Sequence, residues 1–244
     1  MGNEFMKKIY QDIVLAKTEN RKLLAILLDP DQMDYDQLHL LKDKIKLSPA
    51  THILVGGSIV VSDKVDFLIQ FLKETLVLPI ILFPGNPSQI SKYADGILFL
   101  SLLSGRNPDY LIEHQVNAVP FLRNTALEII PTGYLLIDGG RQTAVERVSK
   151  TKPLDRNNTE YICHTAKAGE FLGKKLIYLE AGSGAKLSVP WEVVKAVSNT
   201  ISIPLIVGGG IRTQKGIQEA YDSGADMVVI GTAFEQNIDF FNND

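Results

Sequence analysis

Eight apolar runs of strand length recur along the chain, and almost every one ends in glycine or a polar residue before a helical pattern begins. This alternation restricts the fold more than any single motif. The runs are 23–28, 52–55, 79–83, 96–100, 129–137, 175–179, 203–207 and 226–230. They are apolar throughout rather than at alternate positions, which marks strands buried on both faces, as in a parallel sheet covered by helices. Between them, Leu38, Leu41 and Ile45 share one helical face, as do Val65, Leu68, Ile69 and Leu72, then Val193, Val194 and Val197, and then Ile217, Ala220 and Tyr221. Asn107-Pro108-Asp109, Ser188-Val189-Pro190 and Thr213 read as helix starts.

Eight strands joined by helices predict a (β/α)8 TIM barrel, with a doubly wound open sheet as the structural alternative. A barrel of this kind takes roughly 250 residues, so the 244 residues make one domain over 1–244. Two places are irregular. The fifth run contains Pro131 and Gly133, and the segment 84–92 is too short and Pro/Gly-rich for a regular third helix.

Composition narrows the function. A formal charge of −3 leaves no electrostatic footprint for nucleic acid. No apolar run reaches the roughly 20 residues of a membrane helix, which leaves only peripheral membrane contact. The first twenty residues mix Lys, Glu and Asp with apolar residues and lack the core of a targeting leader. The single cysteine, Cys163, forms no intrachain disulfide and reads as a small buried residue, which suits a cytoplasmic setting. The four histidines fall in no metal-ligand spacing. His39, His114 and His164 read as surface or satisfied residues, and His52 starts a strand at the wrong rim.

In a barrel the residues after the strands gather on one rim, where active sites lie. Gly182-Ser183-Gly184, Gly208-Gly209-Gly210 and Gly231-Thr232 follow the last three strands. Glycine lets backbone amides turn toward a ligand, and helix N-termini add partial positive charge, so three such clusters form an anion cradle fitted to phosphate. Ser183 and Thr232 add hydroxyl donors. Glu180 ends the sixth strand beside this cradle and reads either as a general base or as a carboxylate that caps a loop. Tyr178 shares its face and either bonds the ligand or fills the barrel. Asp29, in Asp29-Pro30-Asp31, either holds Mg2+ with substrate phosphates or shapes its loop, where Asp31 serves as a cap. Ser58 adds a hydroxyl ligand or caps the next helix. Arg212 reads as a solvated helix-start residue, and Trp191 as a packing or oligomer contact.

LLDPDQ (27–32), HILVGGS (52–58), FPGNPSQI (83–90), YLEAGSGA (178–185), IVGGGIRT (206–213) and ADMVVIGTAFE (225–235) stand in order along the chain. Together they resemble the geranylgeranylglyceryl phosphate synthase family, whose bacterial relatives include heptaprenylglyceryl phosphate synthases. The likeness runs over nearly the whole chain. It implies a prenyltransferase of ether-lipid biosynthesis that joins geranylgeranyl diphosphate to the 3-hydroxyl of sn-glycerol 1-phosphate, releases diphosphate and uses Mg2+. Carried over, Asp29 and Ser58 match the Mg2+ positions. Tyr178, Leu179, Glu180, Ala181, Gly182, Ser183 and Gly184, with Gly209, Gly210, Gly231 and Thr232, match the glycerol-phosphate site. Glu180 then takes the hydroxyl proton. Phe99, Leu100, Leu102 and Leu103 are candidates for the wall of the prenyl groove. The heptaprenyl branch carries lysine two residues before the first aspartate of strand one, where this chain has Leu27, as in the geranylgeranyl branch. The resemblance also implies a homo-oligomer, a dimer or a hexamer. A longer prenyl donor, a sugar-phosphate isomerase or lyase on the same barrel, and a non-catalytic phosphometabolite-binding protein are the alternatives.

Overall fold

A computed structural model describes residues 9–33, 35–57, 62–237 and 239–241. The strands β1 (Leu23–Leu28), β2 (His52–Val55), β3 (Ile80–Leu82), β4 (Gly96–Leu102), β5 (Glu128–Leu136), β6 (Leu176–Glu180), β7 (Leu205–Gly208) and β8 (Met227–Ile230) close into a parallel barrel in chain order. β8 pairs back onto β1 through Leu23–Met227 to Ile26–Ile230. The sheet is closed, so the open doubly wound alternative is excluded. The helices among the described residues are α1 (Ile9–Thr18), α2 (Leu38–Leu47), α3 (Ser62–Lys73), α4 (His114–Leu122), α5 (Ala144–Ser149), α6 (Thr159–Phe171), α7 (Trp191–Thr200), α8 (Gln214–Asp222) and α9 (Thr232–Gln236).

Strand alternation divides the core in two. In β6, Leu176 and Tyr178 face the barrel interior, while Ile177 and Leu179 face the helical layer. The outer layer is built from helix faces anticipated by their spacing. Leu38, Leu41 and Ile45 of α2, Val65, Leu68, Ile69 and Leu72 of α3 and Val193, Val194 and Val197 of α7 are all buried in it. Cys163 of α6 and Trp191 of α7 are partly buried against the same layer. The bottom of the barrel is closed by α1, whose Ile9, Ile13 and Ala16 join the inner cluster. The Glu128 carboxylate accepts the amides of Ile9 and Tyr10 at 2.5 and 3.1 Å, which satisfies two donors at the start of that helix.

β5 is the longest strand, at nine residues, despite Pro131 and Gly133. The Pro131 carbonyl accepts Lys175 N–H just before β6 begins, so the missing proline N–H falls where the ladder on that side has barely started. At Gly133 a Cβ would stand 2.8 Å from Leu103 and 2.9 Å from Ile177, so glycine makes room for the outer packing. After β3 the connection holds only a short 3₁₀ turn (Pro87–Gln89), as its composition suggested. The helix start at 107–109 is a π-turn (Asp109–Glu113) that runs into α4. Asn107 accepts the Asp109 amide there. Thr213 caps α8 by accepting Gly216 N–H. Ser188 does not cap α7, which begins at Trp191 directly after Pro190.

Gly56, at the top of β2, tests the tightness of this rim. A Cβ there would lie 2.0 Å from the Phe83 carbonyl oxygen, a backbone atom with no freedom to swing away. Gly56→Ala is expected to destabilise the chain by about 2 kcal/mol or more, read as a fall in the midpoint of urea unfolding at unchanged slope.

Candidate active site

A cavity of about 210 Å³ opens at the C-terminal rim, with one polar and one apolar end. The polar end is made by the loops after β6, β7 and β8. Gly182, Gly184, Gly209 and Gly210 all have positive φ, between 66° and 97°, a region that L side chains rarely adopt. Among the described residues, the amides of Ser183, Gly184, Gly209 and Gly210 meet no acceptor of the protein. Ser183 Oγ and Thr232 Oγ1 stand 3.4 Å apart, so the loops after β6 and β8 converge. Thr232 opens the short helix α9, and Gly231 lies next to it in the wall.

Glu180 sits at the centre of this end. It is the last residue of β6, faces inward, and is buried at 6% exposure. Its Oε1 accepts Gly182 N–H at 2.8 Å. A Cβ on Gly209 would stand 2.1 Å from the same oxygen, so only glycine allows the two loops to close on the carboxylate. Burial pushes the Glu180 carboxyl above its usual range, while the Tyr178 hydroxyl beside it and the Gly182 amide pull the other way. Tyr178 is fully buried beneath the cavity, against Phe83 and Tyr134 at ring separations of 5.5 Å. Among the described residues its hydroxyl has no hydrogen-bond partner.

Asp29 lies across the cavity, at the end of β1. Its carboxylate accepts Asp31 N–H at 3.0 Å, and a Cβ on Gly57 would stand 2.6 Å from it. Its own amide donates to Glu235 Oε1 at 3.1 Å. Burial is the first cause that pushes both the Asp29 and the Glu235 carboxyls up, and the charge of Asp29 adds to the rise at Glu235. Asp31 pairs with Lys64 at 2.7 Å.

The apolar end is walled by Phe99, Leu100 and Leu102 of β4, by Tyr110 and His114 around the π-turn, and by Ala118, Val145 and Val148. Leu27 also lines the cavity, within 3.5 Å of where a Cβ on Gly231 would stand.

The structure corrects several expectations. Leu103 does not reach the cavity: its side chain packs outside the barrel over Gly133 and Gly169. The Leu179 and Ala181 side chains pack in the outer core, because alternation along β6 turns them away from Glu180, which leaves only their backbone facing the proposed substrate site. His114, directly after the π-turn, is a wall residue set edge-on to Tyr110 at 4.6 Å. Arg212 is exposed but lines the cavity and donates to the Ala185 carbonyl. Ser58 lies outside the described residues. Sequence reasoning misses Glu235, although it stands three residues after Thr232 and hence on the same side of a helix.

The fold and this rim define an α/β-barrel enzyme. Residues 16–243 match the PcrB family, and the chain belongs to that family. A protein of Flavobacterium johnsoniae named geranylgeranylglyceryl phosphate synthase is 58% identical over 243 residues, covering 100% of both chains. One of the same name from Zunongwangia profunda is 53% identical over 230 residues, covering 94% of this chain and 98% of its own. Among solved structures, (S)-3-O-geranylgeranylglyceryl phosphate synthase from Thermoplasma acidophilum, in complex with its substrate sn-glycerol-1-phosphate, superposes with a TM-score of 0.90 at 35% identity. That match covers 97% of this chain and 95% of the other.

The raised Glu180 carboxyl has a measurable consequence. Folding favours its neutral form, so its contribution to stability is present below the unfolded value of about 4.3 and is lost as pH rises through the higher folded value. Glu180→Gln is expected to melt above the parent at pH 8 without ligand. The gap should close toward acid pH in a calorimetric series.

Proposed function

We propose that this chain transfers a geranylgeranyl group from its diphosphate to the 3-hydroxyl of sn-glycerol 1-phosphate. The observation that carries this reading is the buried Glu180 carboxylate lying against a cradle of unpaired glycine-loop amides, at the head of an apolar-walled cavity. The names of the relatives and the glycerol phosphate in the Thermoplasma acidophilum complex support it.

The amides of Ser183, Gly184, Gly209 and Gly210, with the hydroxyls of Ser183 and Thr232, hold the phosphate. Glu180 accepts the proton of the 3-hydroxyl as that oxygen bonds to C1 of the prenyl group. The bond from C1 to the diphosphate oxygen breaks, and its electron pair leaves with diphosphate. Tyr178 supplies a hydroxyl beside Glu180. Phe99, Leu100 and Leu102 wall the tail and keep water from the reacting carbon. Leu27, an uncharged residue at the cavity wall, favours the geranylgeranyl donor over the heptaprenyl one.

The donor set fits Mg2+. Among the described residues no group of three or more His, Cys, Asp or Glu forms a cage, and Mg2+ typically uses one or two carboxylates with substrate phosphates. Asp29 would hold it, with Ser58 as the second ligand of this reading. The ion supplies charge neutralisation to the leaving diphosphate. The reading includes a cytoplasmic homo-oligomer, a dimer or a hexamer. The apolar stripe Ile112, Val116 and Val119, more than half exposed, supports self-association. Among the described residues no helix is long and apolar enough to cross a membrane.

The test is product formation from radiolabelled sn-glycerol 1-phosphate with prenyl diphosphates of graded length, with Mg2+ and with a chelator. Mg2+-dependent transfer that peaks with the geranylgeranyl donor is expected, and no transfer with any donor overturns the reading. In the same assay Glu180→Gln should lower kcat about 10²–10⁴-fold while glycerol phosphate binding persists. A folded variant of parental kcat removes Glu180 from the chemistry.

A further inference from the structure

We propose that Arg212 is a ligand of the substrate phosphate, an addition that rests on the glycerol-phosphate reading above. Three arginines hold the loop after β6. Arg141 donates to the Gly184 carbonyl at 3.1 Å, Arg156 to that of Ser188 at 3.1 Å, and Arg212 to that of Ala185 at 2.6 Å. Of these, only Arg212 also lines the cavity. Among the described lining residues it is the only lysine or arginine, set against the carboxylates Asp29, Glu180 and Glu235.

Charge balance gives this a physical role. Amides and hydroxyls are neutral donors, and a phosphate dianion placed beside three carboxylates needs a cation. Arg212 stands two residues after Gly210, whose amide belongs to the cradle, and reaches across to the loop that carries the Ser183 and Gly184 amides. Its bond to Ala185 uses one of five guanidinium N–H donors. The planar fork suits two phosphate oxygens at once. The bond to Ala185 holds the guanidinium at the cradle before substrate arrives, which reduces the ordering cost of binding.

Calorimetric titration with sn-glycerol 1-phosphate and, separately, inorganic phosphate tests this on the full chain. Arg212→Gln keeps a donor for the Ala185 carbonyl but removes the charge, and Arg212→Lys restores the charge. The glutamine variant is expected to bind both ligands about 10-fold more weakly or worse, with the lysine variant recovering much of the loss. The gap should shrink at high salt, and KM for the prenyl donor should hold. Parental affinity in Arg212→Gln makes Arg212 a strut for Ala185 alone and overturns the proposal. An equal rise in the donor KM marks general loosening of the rim and also overturns it. Arg212→Met carries the same readings where the glutamine variant does not fold. A parent chain that binds inorganic phosphate through Arg212 but not glycerol phosphate keeps this inference and removes the synthase reading. A parent that binds neither removes both.

Discussion

The contact between the Glu180 carboxylate and glycine backbone organises the rim. A buried carboxylate costs free energy unless polar groups surround it. Here the Gly182 amide reaches it at 2.8 Å and the Gly209 backbone closes over it. The same loop conformations that close on the carboxylate leave the Ser183, Gly184, Gly209 and Gly210 amides without acceptors among the described residues. The buried carboxylate and the amide cradle are therefore one construction, and in the proposed reaction a phosphate seated on those amides lies a few atoms from the group that receives the proton. Burial adds the second half of the arrangement: it raises the carboxyl above its usual range, which in the proposed reaction makes Glu180 a better proton acceptor.

The barrel supplies the directions. Alternation along β6 puts Tyr178 and Glu180 inward and sends Ile177 and Leu179 into the helical layer. β4 contributes Phe99, Leu100 and Leu102 to the opposite wall, and the π-turn brings Tyr110 and His114 onto it. The cavity thus has a polar head at β6 to β8 and an apolar side at β4, matching a substrate pair with charge at one end and hydrocarbon at the other.

Much of this was legible in the sequence because its signals are local. Continuous apolar runs marked the eight strands, and glycine and polar residues after them placed the rim. Two kinds of feature were not legible. Side-chain direction at strand ends depends on where pairing stops: Leu103 follows Leu102 of β4, yet one points away from the cavity and the other lines it. Contacts between distant loops are also silent in the chain: Asp29 and Glu235 are 206 residues apart and meet only because β8 closes onto β1. Arg212 belongs to the same group, since its carbonyl partner lies in a different loop. Pro131 left the fifth run irregular in the sequence without breaking the strand, because its effect depends on where its missing N–H falls in the ladder.

A crystal structure of this chain with sn-glycerol 1-phosphate bound tests the account most directly. The account predicts the phosphate on the amides of Ser183, Gly184, Gly209 and Gly210, with the glycerol 3-hydroxyl within hydrogen-bond reach of Glu180. Phosphate seated elsewhere, or a 3-hydroxyl turned away from Glu180 with the phosphate in the cradle, contradicts it.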